Sequence, residues 1–458
     1  MGLKTILFLG LFGFCTAGAL VSPILGVLGY SAHYAIGPEG QWWSAPIRHW
    51  GIRYSFILAA ATAVGMALNW RKLRFGGQSL LGHEKLVILF LAVVWLVTLV
   101  APETVGRYTT VDHPAVKFTK VVVFTLMLTH VVTSVKNLDR LLWVLVIAAL
   151  ILGLQAWDTP RRAFIKGRLE GVGGPDFTDA NFFAAYMATM LPIIGVQFLR
   201  SKWVGKVLCL AAGAFTANAI ILTRSRGAMV GVGCGCLAAA ILAPKRQRLK
   251  IAIGLIVAVL GGLYLTDPQF RERTGTVTRS EEERDTSAQS RVRLALAGLE
   301  MLRDHPFGVG VGNFYQNIGH YIPEYPGKDA HNTYVRCFTE TGIIGIAVFG
   351  AIILSALSSL RNIIRQAERL PAVERGDISY LGFGLLISLV TLLGCCLTMS
   401  LTYVEFTWWL LMLPVCLRRA MNNLSLVPAR EDDGGIPGVG RSRWHAKFQA
   451  RRAEEVVT

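Results

Sequence analysis

Charge is what this sequence lacks most. Asp, Glu, Lys and Arg make up 16% of its 458 residues, against roughly 25% in an ordinary soluble domain. That deficit, with repeated uncharged runs of about twenty residues, excludes a soluble globule and points to a polytopic helical membrane protein. Metal and disulfide signals are missing too. No CxxC or Cys/His spacing suggests zinc, and the histidines show no HExxH pattern. Of the eight cysteines, Cys209, Cys234, Cys236, Cys395, Cys396 and Cys416 lie inside hydrophobic runs and read as small apolar packing residues. No fixed-period repeat is visible. The net charge of +17 invites a nucleic-acid reading, but the basic residues sit in short clusters between hydrophobic runs, as the positive-inside rule expects. That distribution argues against nucleic acid and for membrane lipids as partners.

What is present is an all-α pattern of about twelve spans, counted at ~20 residues each. Lys4 precedes an apolar run without an A-x-A-like cleavage site, so this run reads as the first span. No charge occurs from Thr5 to Ile36, where Pro23 and several glycines can break the run into a span plus a re-entrant piece. Further spans are expected near Gly51–Asn69, Leu86–Ala101, Phe118–Val135, Asp139–Trp157, Ala180–Leu199, Lys206–Thr223, Gly227–Ala243, Ile251–Thr266, Phe338–Leu360, Tyr380–Ser400 and Thr402–Leu417. Basic clusters at residues 71–74, 136–140, 200–206, 245–250, 361–369 and 418–419 fall on alternate connections. They place both termini in the cytoplasm. The expected organisation is an N-terminal bundle over 1–266, a long polar outer loop with short helices over 267–337, three helices over 338–418 and a basic, disordered tail over 419–458.

The polar residues at the outer side carry the candidate chemistry. Arg161 and Arg162, with Lys166 and Arg168, break the charge rule in the loop Asp158–Asp179. They read either as a statistical exception or as a site for a membrane-borne anion. Asp179 is placed to cap the next helix. Thr223-Arg224-Ser225-Arg226-Gly227 forms a tight corner; its arginines either snorkel to headgroups or hold phosphate oxygens. Val292, Ala295, Leu296, Leu299 and Leu302 predict an amphipathic helix over 286–304 lying on the bundle. Arg291 and Arg293 fall about 200° apart on it, so both cannot face one site. Gly308-Val-Gly310-Val-Gly312 has the wrong context for a dinucleotide fingerprint and reads as a turn allowing close backbone approach. His331, next to Asn332, lies at the polar/apolar boundary, where it either meets headgroups or takes a proton from a hydroxyl. Arg336 and Glu340 are spaced to pair on one helix. A cysteine peptidase using Cys337 and His331 is disfavoured, because the two lie about 240° apart around a helix.

Taken in order, Ser225-Arg226-Gly227, Ser287-Ala-Gln-Ser-Arg291, Asp304-His-Pro-Phe-Gly-Val-Gly-Val-Gly-Asn-Phe314, Ala330-His-Asn-Thr-Tyr334 and Glu340-Thr-Gly342 resemble the O-antigen ligase / O-antigen polymerase superfamily of bacterial inner-membrane glycosyltransferases. The C-terminal half is similar to a branch described as O-glycosylation ligases associated with exosortase systems. The resemblance covers roughly residues 175–345. It implies en-bloc transfer of a glycan from undecaprenyl diphosphate to an acceptor hydroxyl at the periplasmic side, inverting, without metal or other cofactor. It also implies His331 as the base and Arg226 and Arg291 as diphosphate ligands. The reading of the residues themselves adds Arg161 and Arg162 as further diphosphate cations and Asn332, Arg336 and Glu340 in support, and Arg224 is an extra cation beside the family pattern. This chain departs in having Leu294-Ala295 where relatives often carry a tryptophan after the loop arginine. The acceptor is a lipid core, a protein or a second lipid-linked glycan, the last making the enzyme a polymerase. A polysaccharide transporter or flippase would want charges at the bilayer midplane, and a structural subunit would tolerate loss of His331.

Overall fold

A computed structural model describes residues 2–74, 80–101, 112–243, 248–265, 286–370 and 372–426. Among these the regular structure is helical. Eight of the described helices are long and apolar enough to cross a membrane, and Tyr54–Leu68 and Arg226–Leu242 are shorter apolar helices. The protein is an all-α polytopic membrane protein. The expected tail lies outside the described residues beyond Leu426, as does 266–285 of the expected outer loop.

The first apolar run folds differently from a single crossing. Helix α1 (Leu3–Val21) and helix α2 (Pro23–Ile36) meet at Ser22, where Pro23 takes the first-turn position that needs no amide donor. The two run antiparallel. Gly29 packs on Cys15, the Phe8 and His33 rings lie 6.5 Å apart, and Thr5 Oγ1 donates to the Trp43 carbonyl. Helix α3 (Tyr54–Leu68) completes the trio, with Tyr54 edge-on to Phe8 and Phe12 and Asn69 Nδ2 donating to the Leu20 carbonyl. Leu3 therefore lies at the same end of the bundle as residues 36–54. A single crossing over Thr5–Ile36 would have put it at the opposite end, so of the two readings of this run it is the broken one that matches the fold. The physical cause is the small-residue seam of Cys15, Ala19, Gly26 and Gly29, which lets the two backbones close on each other.

The remaining helices alternate between two ends. They are α4 (Gly82–Val100), α5 (Pro114–Val131), α6 (Val135–Asp158), α7 (Ala180–Arg200), α8 (Trp203–Thr223), α9 (Arg226–Leu242) and α10 (Arg248–Leu265). After them come α11 (Thr286–Asp304), α12 (Phe314–Tyr321), α13 (Thr333–Ala367), α14 (Ala372–Cys396) and α15 (Glu405–Leu426). One end gathers the basic clusters. Arg200 pairs there with Asp139 at 2.6 Å and with Asp377 at 3.0 Å. Deeper at the same end, Arg419 makes a two-pronged bond to Glu84 at 2.9 and 2.8 Å and donates to the Thr129 carbonyl. The other end carries the candidate site.

Two packing features hold that site end in place. The stretch Phe406–Leu417 of helix α15 is apolar around its circumference and is buried as such a stretch must be. Its Trp408 ring meets Phe90, Phe118 and Phe349, and its Trp409 ring meets Tyr30, Tyr34 and Phe124. Helix α9 presents Gly227, Gly231 and Gly235 to α14, against Thr398, Cys395 and Thr391. Small residues at this spacing allow close backbone approach, the main source of helix association in a membrane.

Candidate active site

The site is assembled around the turn joining α14 to α15, residues 397–404. On one flank, Gly227 of the arginine corner abuts Thr398 and Met399. On the other, the residues leading into α13 are bonded to the same turn. Asn332 Nδ2 donates to the Leu397 carbonyl at 3.1 Å, and Thr333 Oγ1 donates to the Met399 carbonyl at 2.6 Å and accepts from the Leu401 amide at 2.9 Å. Asn332 also caps α13, its Oδ1 accepting from the Tyr334 and Val335 amides. Arg226 and His331, more than a hundred residues apart in sequence, thus border one short turn.

His331 sits in a left-handed conformation at φ +48°. Among the described residues the other non-glycine positions of this kind are Arg224 and Lys166. All three lie at the site end, and such positions concentrate at functional sites. The His331 side chain is 43% exposed, its amide donates to Asp329 Oδ2 at 3.3 Å, and its Nδ1 lies 3.6 Å from the same oxygen. An acidic side chain therefore faces Nδ1 and leaves the Nε2 edge for a reacting group.

Behind Asp329 lies an ion-pair cluster. Arg336 Nη1 is 3.8 Å from Asp329 Oδ1, Nε donates to Glu340 Oε1 at 3.2 Å, and Nη1 donates to Tyr315 Oη at 3.2 Å. Its guanidinium also stacks at 5.0 Å on Tyr315 and 5.4 Å on Tyr403. Glu340 is fully buried. The expected Arg336–Glu340 pair is formed, and it anchors the turn that carries His331. Burial is the first cause holding the Tyr315 hydroxyl well above its ordinary range, so it stays a neutral donor and acceptor. His113, which caps α5 through Nδ1, is lowered from the usual imidazole range by burial, with Glu340 opposing the shift.

The segment 306–312 straps a break in α13. Gly342 has φ +69° and ψ −169°, which ends the regular ladder there. The Val309 and Gly310 amides donate to the carbonyls of Thr339 and Glu340 at 2.9 and 3.2 Å, and the Ile343 amide donates to the Pro306 carbonyl at 2.9 Å. The glycine-rich run is thus a turn of close backbone approach, as its sequence indicates. A Cβ on Gly342 would run into the Phe307 backbone.

Helix α11 lies over this strap. Ser290, Leu294, Ala297 and Met301 form its buried stripe, packed toward α12 and α13, whereas Val292, Leu296 and Leu299 face outward. The apolar stripe expected to lie on the bundle therefore points away from it, because the hydrophobic periodicity marks two stripes and the inner one includes a serine and an alanine. Arg293 bonds Glu324 and stacks on Tyr325 at the surface. Arg291 is half-buried on the same side as Gly298, which rests against Val335 and Thr339. Seven residues back from Gly298, about 10 Å of helix, brings Arg291 level with the residues just before α13.

The cationic loop divides unexpectedly. Arg161 and Arg162 are exposed, Arg161 stacking on Phe164 at 5.0 Å. Neither is tied to the corner by a bond among the described contacts. Arg168 is tied to it. Its Nε donates to the Thr223 carbonyl at 2.9 Å and its Nη2 donates to Asn181 Oδ1 at 2.8 Å, the oxygen that also accepts from Ser225 Oγ. Burial is the first cause lowering the Arg168 guanidinium from its ordinary range; Asp179 and Glu170 oppose this, and Arg226 adds to it. Arg224 lies beside Gly167 of the same turn. Sequence reasoning placed Arg168 in the cationic loop without choosing it. The choice depends on Asn181, in the first turn of α7, whose helix is capped by Asp179 as expected.

Comparison with known proteins bears on this arrangement. Residues 211–350 match the family model described as O-Antigen ligase. The resemblance is to the O-antigen ligase/polymerase superfamily. A curated O-antigen polymerase of Salmonella muenchen is 27% identical over 187 residues, 40% of this chain and 45% of that protein. The chain thus spans less than half the length of that relative. The O-antigen ligase match contains Arg224, Arg226, Arg291, His331, Arg336 and Glu340, and leaves Arg168 and His113 outside.

Proposed function

We propose that this protein transfers a whole glycan from undecaprenyl diphosphate to an acceptor hydroxyl at the periplasmic face of the bacterial inner membrane. The observation that carries the reading is the approach of the arginine corner and the His331 turn to opposite flanks of residues 397–404. In the proposed step the acceptor oxygen attacks the anomeric carbon while His331 takes the hydroxyl proton. The bond from that carbon to the diphosphate breaks with inversion, and the lipid diphosphate leaves as an anion. Arg226 and Arg291, with Arg224 and Arg168 beside the corner, stabilise the charge that develops on the leaving group. Asp329 Oδ2 lies 3.6 Å from His331 Nδ1 and orients the ring so that Nε2 is presented to the acceptor hydroxyl. The superfamily resemblance and the clustering of left-handed residues at this end support the same assignment.

The test uses purified protein in nanodiscs with an undecaprenyl-diphosphate-linked glycan, following lipid-diphosphate release and glycan products. His331→Ala is expected to slow transfer by about 10²–10⁴-fold, the usual contribution of a general base. Arg291→Ala and Arg226→Ala are expected to slow it by about 10²–10³-fold. Wild-type turnover by any of these variants removes that residue from the mechanism. A polymerase reading is favoured by the name of the Salmonella relative. Products growing by whole repeat units without any other acceptor would establish it, whereas product that requires added lipid core or protein would establish a ligase.

A further inference from the structure

Helix α11 is apolar on two opposite sides. The inner stripe is accounted for by α12 and α13. The outer stripe, Val292, Leu296 and Leu299, spans about 60° of the helix circumference, and its side chains are between 53% and 62% exposed. Gln289, Arg293, Glu300 and Asp304 form a polar flank next to it. An outward apolar stripe of this kind on a water-facing loop would be unfavourable unless something covers it.

The surface onto which it runs identifies the cover. Phe307 follows the end of α11 and is exposed. The strap joins it to α13, the Ile343 amide bonding to the Pro306 carbonyl. Ile343, Ile344 and Leu354 of α13 are exposed apolar residues on a helix apolar enough to cross the membrane. An apolar lane therefore continues from Val292 through Leu299 and Phe307 onto the lipid-facing side of a span. We propose that α11 is an interfacial helix whose outer stripe lies in the acyl boundary of the leaflet at the site end. Such helices rest about 5–10 Å into that boundary. Arg291, on a flank of the same helix, is then held near the plane of the lipid phosphates. The proposal needs no assumption about the transfer chemistry.

A benzophenone amino acid introduced at Leu296 of the full chain in bilayers of phosphatidylethanolamine and phosphatidylglycerol tests it, with Leu354 as the lipid-facing control and Glu300 as the water-facing one. Phospholipid adducts at 296 close to the yield at 354, and several-fold above the yield at 300, are expected. A lipid yield at 296 no higher than at 300, or adducts mainly to a second copy of the chain, would overturn the proposal. Val292 serves as the second probe position should the 296 variant fail to fold.

Discussion

Arg336 and Glu340 offer the sharpest test of how the site is held. The two side chains are 11% and 0% exposed, so neither can turn to water when its partner is removed. Breaking a buried pair from one side costs about 3–5 kcal/mol, because the charge left behind is uncompensated. The surroundings make the two directions unequal. In Glu340→Gln, Arg336 keeps Asp329 at 3.8 Å and Tyr315 at 3.2 Å, and the expected loss is one charge-assisted hydrogen bond, about 1.5–3 kcal/mol. In Arg336→Met, Glu340 loses the Arg336 Nε donor and the only cation paired with it among the described contacts, and the full ~3–5 kcal/mol applies. The double variant should recover much of that loss, giving a coupling of about 2 kcal/mol or more. Unfolding of the purified protein in mixed micelles, followed by tryptophan fluorescence, measures all four corners of the cycle. A double variant no more stable than Arg336→Met, or an Arg336→Met protein as stable as wild type, would refute the argument. Because Arg336 also faces Asp329, which faces His331, the double variant should transfer glycan more slowly than wild type even where its stability is recovered.

Two further outcomes follow from the site end. Arg168→Lys keeps a cation but loses the two-pronged hold on Thr223 and Asn181; at about 1.5–3 kcal/mol for such bonds, transfer should fall roughly ten- to a hundredfold, and unchanged turnover would leave Arg168 a structural residue. Asp176, facing Tyr34, Glu405 and Lys117, has its carboxyl raised above the usual range by burial, against the lowering effect of its bonds from Tyr34 and the Glu405 amide. A folded state that binds this proton more tightly than the unfolded chain loses stability as pH rises from the unfolded pKa through the folded one. Asp176→Asn should therefore raise the unfolding midpoint at pH 7.5 and give no gain near pH 4, and an equal effect at both values would refute the linkage.

The helices were legible because membrane spans write themselves as uncharged runs, and the ends because charge sorts with topology. The arginine corner, the Asp179 cap, the Arg336–Glu340 spacing and the glycine strap were legible for a related reason: each depends on residues within a few positions of one another. What the sequence left open or misplaced depends on distant parts of the chain. Whether Thr5–Ile36 crosses once or folds back is decided by what packs on Cys15 and Ala19, and α3 supplies part of that packing with Gly65 against Ala19. Which stripe of α11 faces inward is decided by α12 and α13. Hydrophobicity alone favours Val292, Leu296 and Leu299, yet Ser290 and Ala297 are the buried ones.

The selection of Arg168 over Arg161 and Arg162 shows the same limit at the level of chemistry. All three are arginines in one loop, and composition cannot rank them. The ranking comes from Asn181, whose single side-chain oxygen accepts from both Arg168 and Ser225. That shared acceptor ties the loop before α7 to the corner between α8 and α9. The cations at the corner thus come from two connections that are more than fifty residues apart in sequence. Its His331 turn comes from a third connection and is fixed to the turn before α15. A diphosphate held by such a set would bring three otherwise independent connections into register at once, so tight donor binding and correct placement of the base would depend on the same contacts.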